Sequence, residues 1–229
     1  MSDLLIMALP LLGTGLLYTV ILAGTSFMGG LVLGTLLGGL RAEQPPVLGK
    51  LAAIYIELLR GIPLILFIVF MHYGVMSVFL ERPNFFVSAL VAFSLFEAAY
   101  IGEIVRSGFR SIKQSERDAA EALGLAYPVQ LIYVYLPLVF SRMMPALVGQ
   151  LITLVKDTSL ASIVGVVELT RAGEIIYQQT YNDLEILLLQ AFIYFVVCYS
   201  LSKISRRWEV QQHQDNAGAG GLLLQSIQG

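Results

Sequence analysis

The sequence predicts an all-α integral membrane protein of about five transmembrane helices. Three observations lead to that prediction. Hydrophobic residues fill 57% of the 229 positions and charged residues only 13%, against roughly 25% charged in an ordinary soluble domain. The apolar residues are gathered into runs that reach the length of a bilayer-crossing helix, about 20 residues. Basic residues collect in alternate connections between those runs, as retention of Lys and Arg on the cytoplasmic side requires.

The first run has no charged side chain from Leu4 to Leu40. It lacks a basic leader and a small-residue cleavage site, so it is expected to be retained. One long or tilted helix, roughly Gly13 to Leu40, is expected there, preceded by a surface segment around Pro10. Gly30, Gly34 and Gly38 recur every four residues, a spacing that lets another helix approach closely. A second span, about Leu51 to Leu80, is interrupted by Gly61 and Pro63. After the polar turn Glu81-Arg82-Pro83-Asn84, a third covers about Phe85 to Val105. A charged region, Arg106 to Tyr135, separates it from a fourth span, about Leu136 to Val155, in which Pro145 can introduce a kink. A mixed segment follows from Lys156 to Asp183, and the fifth span covers about Leu184 to Lys203. This defines a membrane domain over residues 1–209 and a tail, 210–229, whose AGAGG run predicts flexibility.

Arg41 and Lys50 lie in the first connection, Arg106, Arg110, Lys113 and Arg117 in the charged region, and Lys203, Arg206 and Arg207 after the last span. The other side carries little beyond Arg82, Lys156 and Arg171. With five spans, this bias predicts an N-terminus outside and a cytoplasmic C-terminus. The net charge of −2 argues against nucleic acid as a partner. A single cysteine, Cys198, builds no disulfide within one chain, and His72 and His213 are too few and too far apart for a metal cluster.

The charged region, about 112–137, reads as a helix-turn-helix. Ser115 followed by Asp118 resembles a capping box, and the acids at 116, 118 and 121 favour a helix N-terminus. Ala119, Ala120, Ala122 and Leu123 supply a compact surface for a partner's groove. Gly124 suits a helix stop or left-handed turn, and Tyr127 to Tyr135 is expected to form a second short helix that ends at Leu136-Pro137. A polar hairpin between apolar spans must sit in water. By itself it is equally a solvated loop or a docking element.

Asp118-Ala119-Ala120, Glu121, Gly124, Val134 and Leu136-Pro137 match the cytoplasmic EAA loop of bacterial ABC importer membrane subunits, with Asp in place of the usual Glu. Glu57-Leu58-Leu59-Arg60-Gly61-Ile62-Pro63, the run from Ala99 to Arg106, and Lys156-Asp157-Thr158-Ser159-Leu160 followed by Glu168-Leu169 resemble signatures of that family's polar amino acid branch. The chain therefore resembles a type I ABC importer permease of the bacterial inner membrane. The resemblance implies a cytoplasmic ABC ATPase dimer docked on Asp118, Ala119, Ala120, Glu121, Gly124, Leu136 and Pro137. It also implies a second permease subunit, identical or similar, and an extracytoplasmic amino acid binding protein. ATP and Mg would be bound by the ATPase; the sequence has no G-x-x-x-x-G-K-[ST] loop, so no cofactor is expected on this chain.

Ionisable groups at membrane depth need a partner or water. Glu57 with Arg60, Glu103 with Arg106, and Glu168 with Arg171 are each spaced i to i+3 and are expected to pair, for structure or for gating. Glu97 lies deeper, either as a structural hydrogen-bonding group or as a polar wall of a path. Asp157, Thr158 and Ser159 end the fourth span beside Lys156, and either line a path for a zwitterion or satisfy their own helix end. A secondary transporter or channel would also explain intramembrane acids but leaves the hairpin without a purpose. An intramembrane enzyme fits badly, since no nucleophile-base or metal arrangement sits in a span.

Overall fold

The computed structural model describes residues 2–43 and 45–227, with side chains placed for 9–43 and 45–206. The expected flexible tail lies outside the residues whose side chains are described. The regular elements among the described residues are all helical: α1 (Ser2–Glu43), α2 (Leu48–Gly61), α3 (Leu64–Val69), a π-helical stretch Phe70–Met76, α4 (Ser77–Phe79), α5 (Phe85–Arg110), α6 (Gln114–Ala122), α7 (Tyr127–Gln130), a second π stretch Leu131–Tyr135, α8 (Leu136–Asp157), a 3₁₀ stretch Thr158–Val164, α9 (Leu169–Thr180) and α10 (Asp183–Ile227).

Among the described residues, four helical segments are long and apolar enough to cross a bilayer: Leu9–Glu43, Phe85–Arg110, Tyr127–Val164 and Asp183–Arg206. The pair Leu48–Gly61 and Leu64–Phe79 is bent by 106° and, taken as one broken span, makes a fifth. The bend follows from Pro63. Its ring forces Ile62 into extended backbone, φ −102° and ψ 137°, and a helix cannot continue through that residue.

Two expected breaks are absent. α1 runs straight through Pro10, where a separate surface segment was anticipated; proline's fixed φ is helical and costs one backbone hydrogen bond. At Leu136-Pro137 the helix does not end either. The π stretch 131–135 immediately precedes them, and its looser i→i+5 bonding absorbs the missing N–H and the ring, so α7 feeds into α8 as one rod. Pro145 likewise lies inside α8.

α1 is held against α5 by the glycine stripe. A Cβ on Gly34 would sit 2.8 Å from the Ala98 carbonyl oxygen and 2.8 Å from the Ile101 Cβ, while Gly30 and Gly38 face Glu97 and Val105. Hydrocarbon supplies no hydrophobic drive between helices, so close backbone contact of this kind does the packing. One core cluster gathers Leu22, Ile68, Phe93 and Leu154; a second, toward the hairpin, gathers Ile101, Val105, Ala120, Tyr135 and Val139. A third, at the opposite end, joins Leu12, Leu169, Ile176 and Ile186. Outward positions such as Val32, Leu36, Phe192 and Phe195 are more than 60% exposed, a lipid-facing surface rather than a wet one.

Gly34→Leu should lower thermal stability in detergent by about 1–3 kcal/mol or more through overpacking. Gly39→Ala, where nothing lies within 4 Å of the added carbon, should leave the melting midpoint at or slightly above the parent's, since alanine is the better helix former. Equal midpoints for Gly34→Leu and the parent would refute the close-packed stripe.

Candidate coupling hairpin and substrate path

The hairpin leaves α5 at Ser111 and enters α6 at Lys113, whose extended backbone (φ −71°, ψ 153°) makes it the N-cap. The cap forms two residues earlier than Ser115 and Asp118 suggest: Glu116 Oε2 accepts from the Lys113 N–H at 2.9 Å. Asp118 instead accepts from Gln114 Nε2 at 2.8 Å along the outer face. Asp118, Ala119, Glu121, Ala122 and Leu123 are exposed, Leu123 by 70%. Ala120 is not on that face. It is 1% exposed and packed into the inner core cluster, because the helical repeat turns it toward Ile112 and Tyr135. Gly124 has φ +67° with open space around it, so the left-handed turn alone requires glycine there.

The hairpin is fixed to the spans by polar contacts. Arg142, on α8, donates to Glu116 at 2.5 Å and to the Ser111 carbonyl at 2.8 Å. Tyr135 Oη donates to Gln130 Oε1 at 2.9 Å, Gln130 closes the turn by donating to the Leu125 carbonyl at 2.7 Å, and Arg117 lies over the Tyr135 ring. Tyr127 Oη donates to Glu43 at the end of α1, 2.7 Å away. Leu136 and Pro137 lie away from this face: both line an apolar groove of about 720 Å³ with Phe27, Val105 and Phe140.

Above the hairpin, α1, α2 and α5 meet in an ionic node around Glu103, which accepts from Arg106 and from Arg41 at 3.0 Å and lies 3.8 Å from Arg60. Glu103 and Arg106 pair as their spacing suggests. Glu57 does not pair with Arg60; it accepts from Arg41 at 2.7 Å, while Arg60 turns over the Tyr100 ring. Helices from elsewhere in the chain offer these groups better partners than their own next turn does.

Deeper, Glu97 is 1% exposed and accepts from Gln150 Nε2 at 3.1 Å; its second oxygen has no partner among the described residues. Asp157 lies seven residues beyond Gln150, about 10 Å along the same face of α8, and is half-buried. Thr158 is fully buried and donates to the Val155 carbonyl at 2.7 Å, so it satisfies its own helix end. Ser159 lines a cavity of about 550 Å³ at the far end with Tyr73, Ser162, Arg171 and Glu174.

Glu168 and Arg171 also part company. The Glu168 carboxylate is fully buried and caps α9, accepting from the Thr170 and Arg171 backbone N–H groups at 2.8 and 2.9 Å and from Tyr194 Oη at 3.0 Å. Burial pushes its carboxyl above the usual range. Arg171 pairs with Glu174 at 2.6 Å. Thr19 of α1 accepts from the Leu169 N–H, and Gln190 of α10 donates to the Leu169 carbonyl, so three helices are tied at this end. Arg142, Gln150, Thr19, Gln190 and Tyr194 escaped the sequence reading. For Arg142 and Gln150 the available signal was a lone polar side chain in an otherwise apolar span.

Residues 30–211 match the family described as binding-protein-dependent transport system inner membrane component. The chain belongs to that family. It is 37% identical over 207 residues to the probable glutamine ABC transporter permease protein GlnP of Bacillus subtilis, covering 89% of this chain and 94% of the relative. It is 32% identical over 202 residues to the glutamate/aspartate import permease protein GltK of Escherichia coli O6:H1, covering 85% and 90%. The fold superposes on the solved structure described as an amino acid ABC transporter with histidines, with a TM-score of 0.84 at 27% identity, covering 90% of this chain and 96% of that one.

As a member of this family the chain is the non-catalytic, multi-pass inner membrane permease of a binding-protein-dependent ABC transporter. In the permease, Arg142 is the strut between hairpin and span. Its guanidinium holds the Glu116 carboxyl below the usual carboxylate range. The attachment is therefore complete at neutral pH and is lost only as pH falls through that lowered value. Hydrogen exchange over 114–122 should rise on such acidification. Arg142→Ala should raise it at neutral pH by about fivefold, corresponding to about 1 kcal/mol, and remove the acid dependence. Unchanged protection in Arg142→Ala would exclude the strut.

Proposed function

We propose that this permease forms the path of an ATP-driven importer of polar amino acids, with its hairpin docked on a separate cytoplasmic ABC ATPase dimer. The observation that carries the reading is the α6 outer face. Asp118, Ala119, Glu121, Ala122 and Leu123 stand exposed at the end of the bundle where most cations cluster, and Arg142 joins that helix to α8. An exposed apolar and acidic face on a short helix suits a partner's groove. The same clustering supports a cytoplasmic hairpin and C-terminus and an N-terminus outside.

Relatives named for glutamine and for glutamate/aspartate support a polar amino acid as cargo. In this reading the cargo arrives from an extracytoplasmic binding protein at the Ser159 cavity and passes Asp157. Glu97 is closed off by packing and would meet the cargo only in another conformation, while its partner Gln150 is half-buried. ATP and Mg belong to the ATPase, whose closure pushes α6 and shifts the spans between inward-open and outward-open states. A second permease subunit completes the path, and Leu136 and Pro137 act within the α7–α8 rod rather than on the docking face.

The test is uptake in liposomes holding the permease, its ATPase and the binding protein. ATP should be required, and gradient-driven uptake by the permease alone would establish the secondary-transporter alternative instead. Gly124→Val should lose ATPase co-purification and uptake while inserting normally, whereas Gly124→Asn, which tolerates the left-handed backbone, should retain both. Normal uptake by Gly124→Val would remove the turn from the coupling surface.

A further inference from the structure

At the hairpin end of the bundle, a pocket of about 240 Å³ opens between the ends of α1, α2 and α5, lined by Arg41, Pro45, Gly49, Lys50 and Arg110. Two of its three cations carry uncompensated charge. Lys50 and Arg110 have no acidic partner among the described residues. Arg41 belongs to the node above, where three guanidiniums face two carboxylates and leave a net positive charge. No acid lies in the first turn of α2, at whose start the pocket sits.

Beside the pocket, α2 and its N-cap present Val47, Leu51, Ile54 and Leu58 outward, each 57–66% exposed and recurring at helical spacing. A basic pocket at the water boundary therefore continues into an apolar strip that runs toward the bilayer interior. A free anion has no use for that strip, and a neutral lipid has no use for the charge. We propose that this pocket binds the phosphate headgroup of an anionic phospholipid through Lys50, Arg110 and Arg41, with the acyl chains laid along Leu51, Ile54 and Leu58. Basic pockets between spans on this kind of surface suit such headgroups. The bound lipid neutralises the cations and braces the joint between α1 and α2, next to the Glu43–Tyr127 contact with the hairpin.

The assembled transporter should be released from phosphatidylglycerol-containing and from pure phosphatidylcholine nanodiscs into native mass spectrometry, with thermal midpoints measured in both. The parent should retain phosphatidylglycerol and melt higher in its presence. Lys50→Gln/Arg110→Gln should retain at least about tenfold less, since each surface cation gives about a fivefold preference for anionic lipid, and should match the parent's midpoint in phosphatidylcholine. Lys203→Gln/Arg206→Gln, cations outside the pocket, should behave as the parent does. Undiminished retention by the Lys50/Arg110 variant overturns the proposal. So does stabilisation by inorganic phosphate equal to that by phosphatidylglycerol, because the site would then select a free anion.

Discussion

Hydrocarbon tolerates neither an unsatisfied backbone nor an unpaired charge, and that constraint arranges this chain. It keeps the spans helical among the described residues and drives the charged groups to helix ends or into partnerships within and between helices. The Glu103 node gathers Arg41, Arg60 and Arg106 from three helices at one end. Glu168 is wrapped by N–H and O–H donors at the other. Between them the packing is by small residues, the Gly30–Gly34–Gly38 stripe above all. The polar hairpin has no place in that layer and is left in water, where Arg142 secures it.

In the proposed importer, that arrangement connects stability to work. A hairpin linked only through its chain ends would swing without moving the spans. Here, one arm is pinned to α8 by Arg142, the other continues into α8 without a break, and Tyr127 reaches the end of α1. A push on α6 therefore reaches two spans through short, directional contacts. The same economy appears at the far end, where Thr19, Gln190 and Tyr194 lock α9 to α1 and α10 beside the Ser159 cavity.

Much of this was legible from residue order. Apolar runs, the Gly61 and Pro63 interruption, the left-handed Gly124 and the Glu103–Arg106 pair are local signals, and local physics decides them. What failed needed the third dimension. Glu57 was expected to pair with Arg60 and Arg171 with Glu168, but Arg41 from another helix takes Glu57, and Arg171 turns to Glu174 because the Glu168 carboxylate is used to cap α9. Ala120 sits in a run of small residues that gives no sign of which one turns inward. Pro10 and Pro137 read as breaks because proline usually is one; a helical φ at the first and a π stretch before the second made them tolerable. Gln150 as partner of Glu97 and Tyr194 as partner of Glu168 lie 53 and 26 residues away, and no pattern in the sequence points to them.

The central claim is that the α6–α7 hairpin stands in water on the cytoplasmic face. The most direct measurement is labelling of Leu123→Cys, the most exposed hydrophobic residue at that turn, in a Cys198→Ser background with a membrane-impermeant maleimide. Labelling should occur in inside-out vesicles and be absent from right-side-out vesicles until they are permeabilised. Equal labelling of intact right-side-out vesicles would put the hairpin on the wrong side of the membrane for an ATPase and contradict the account.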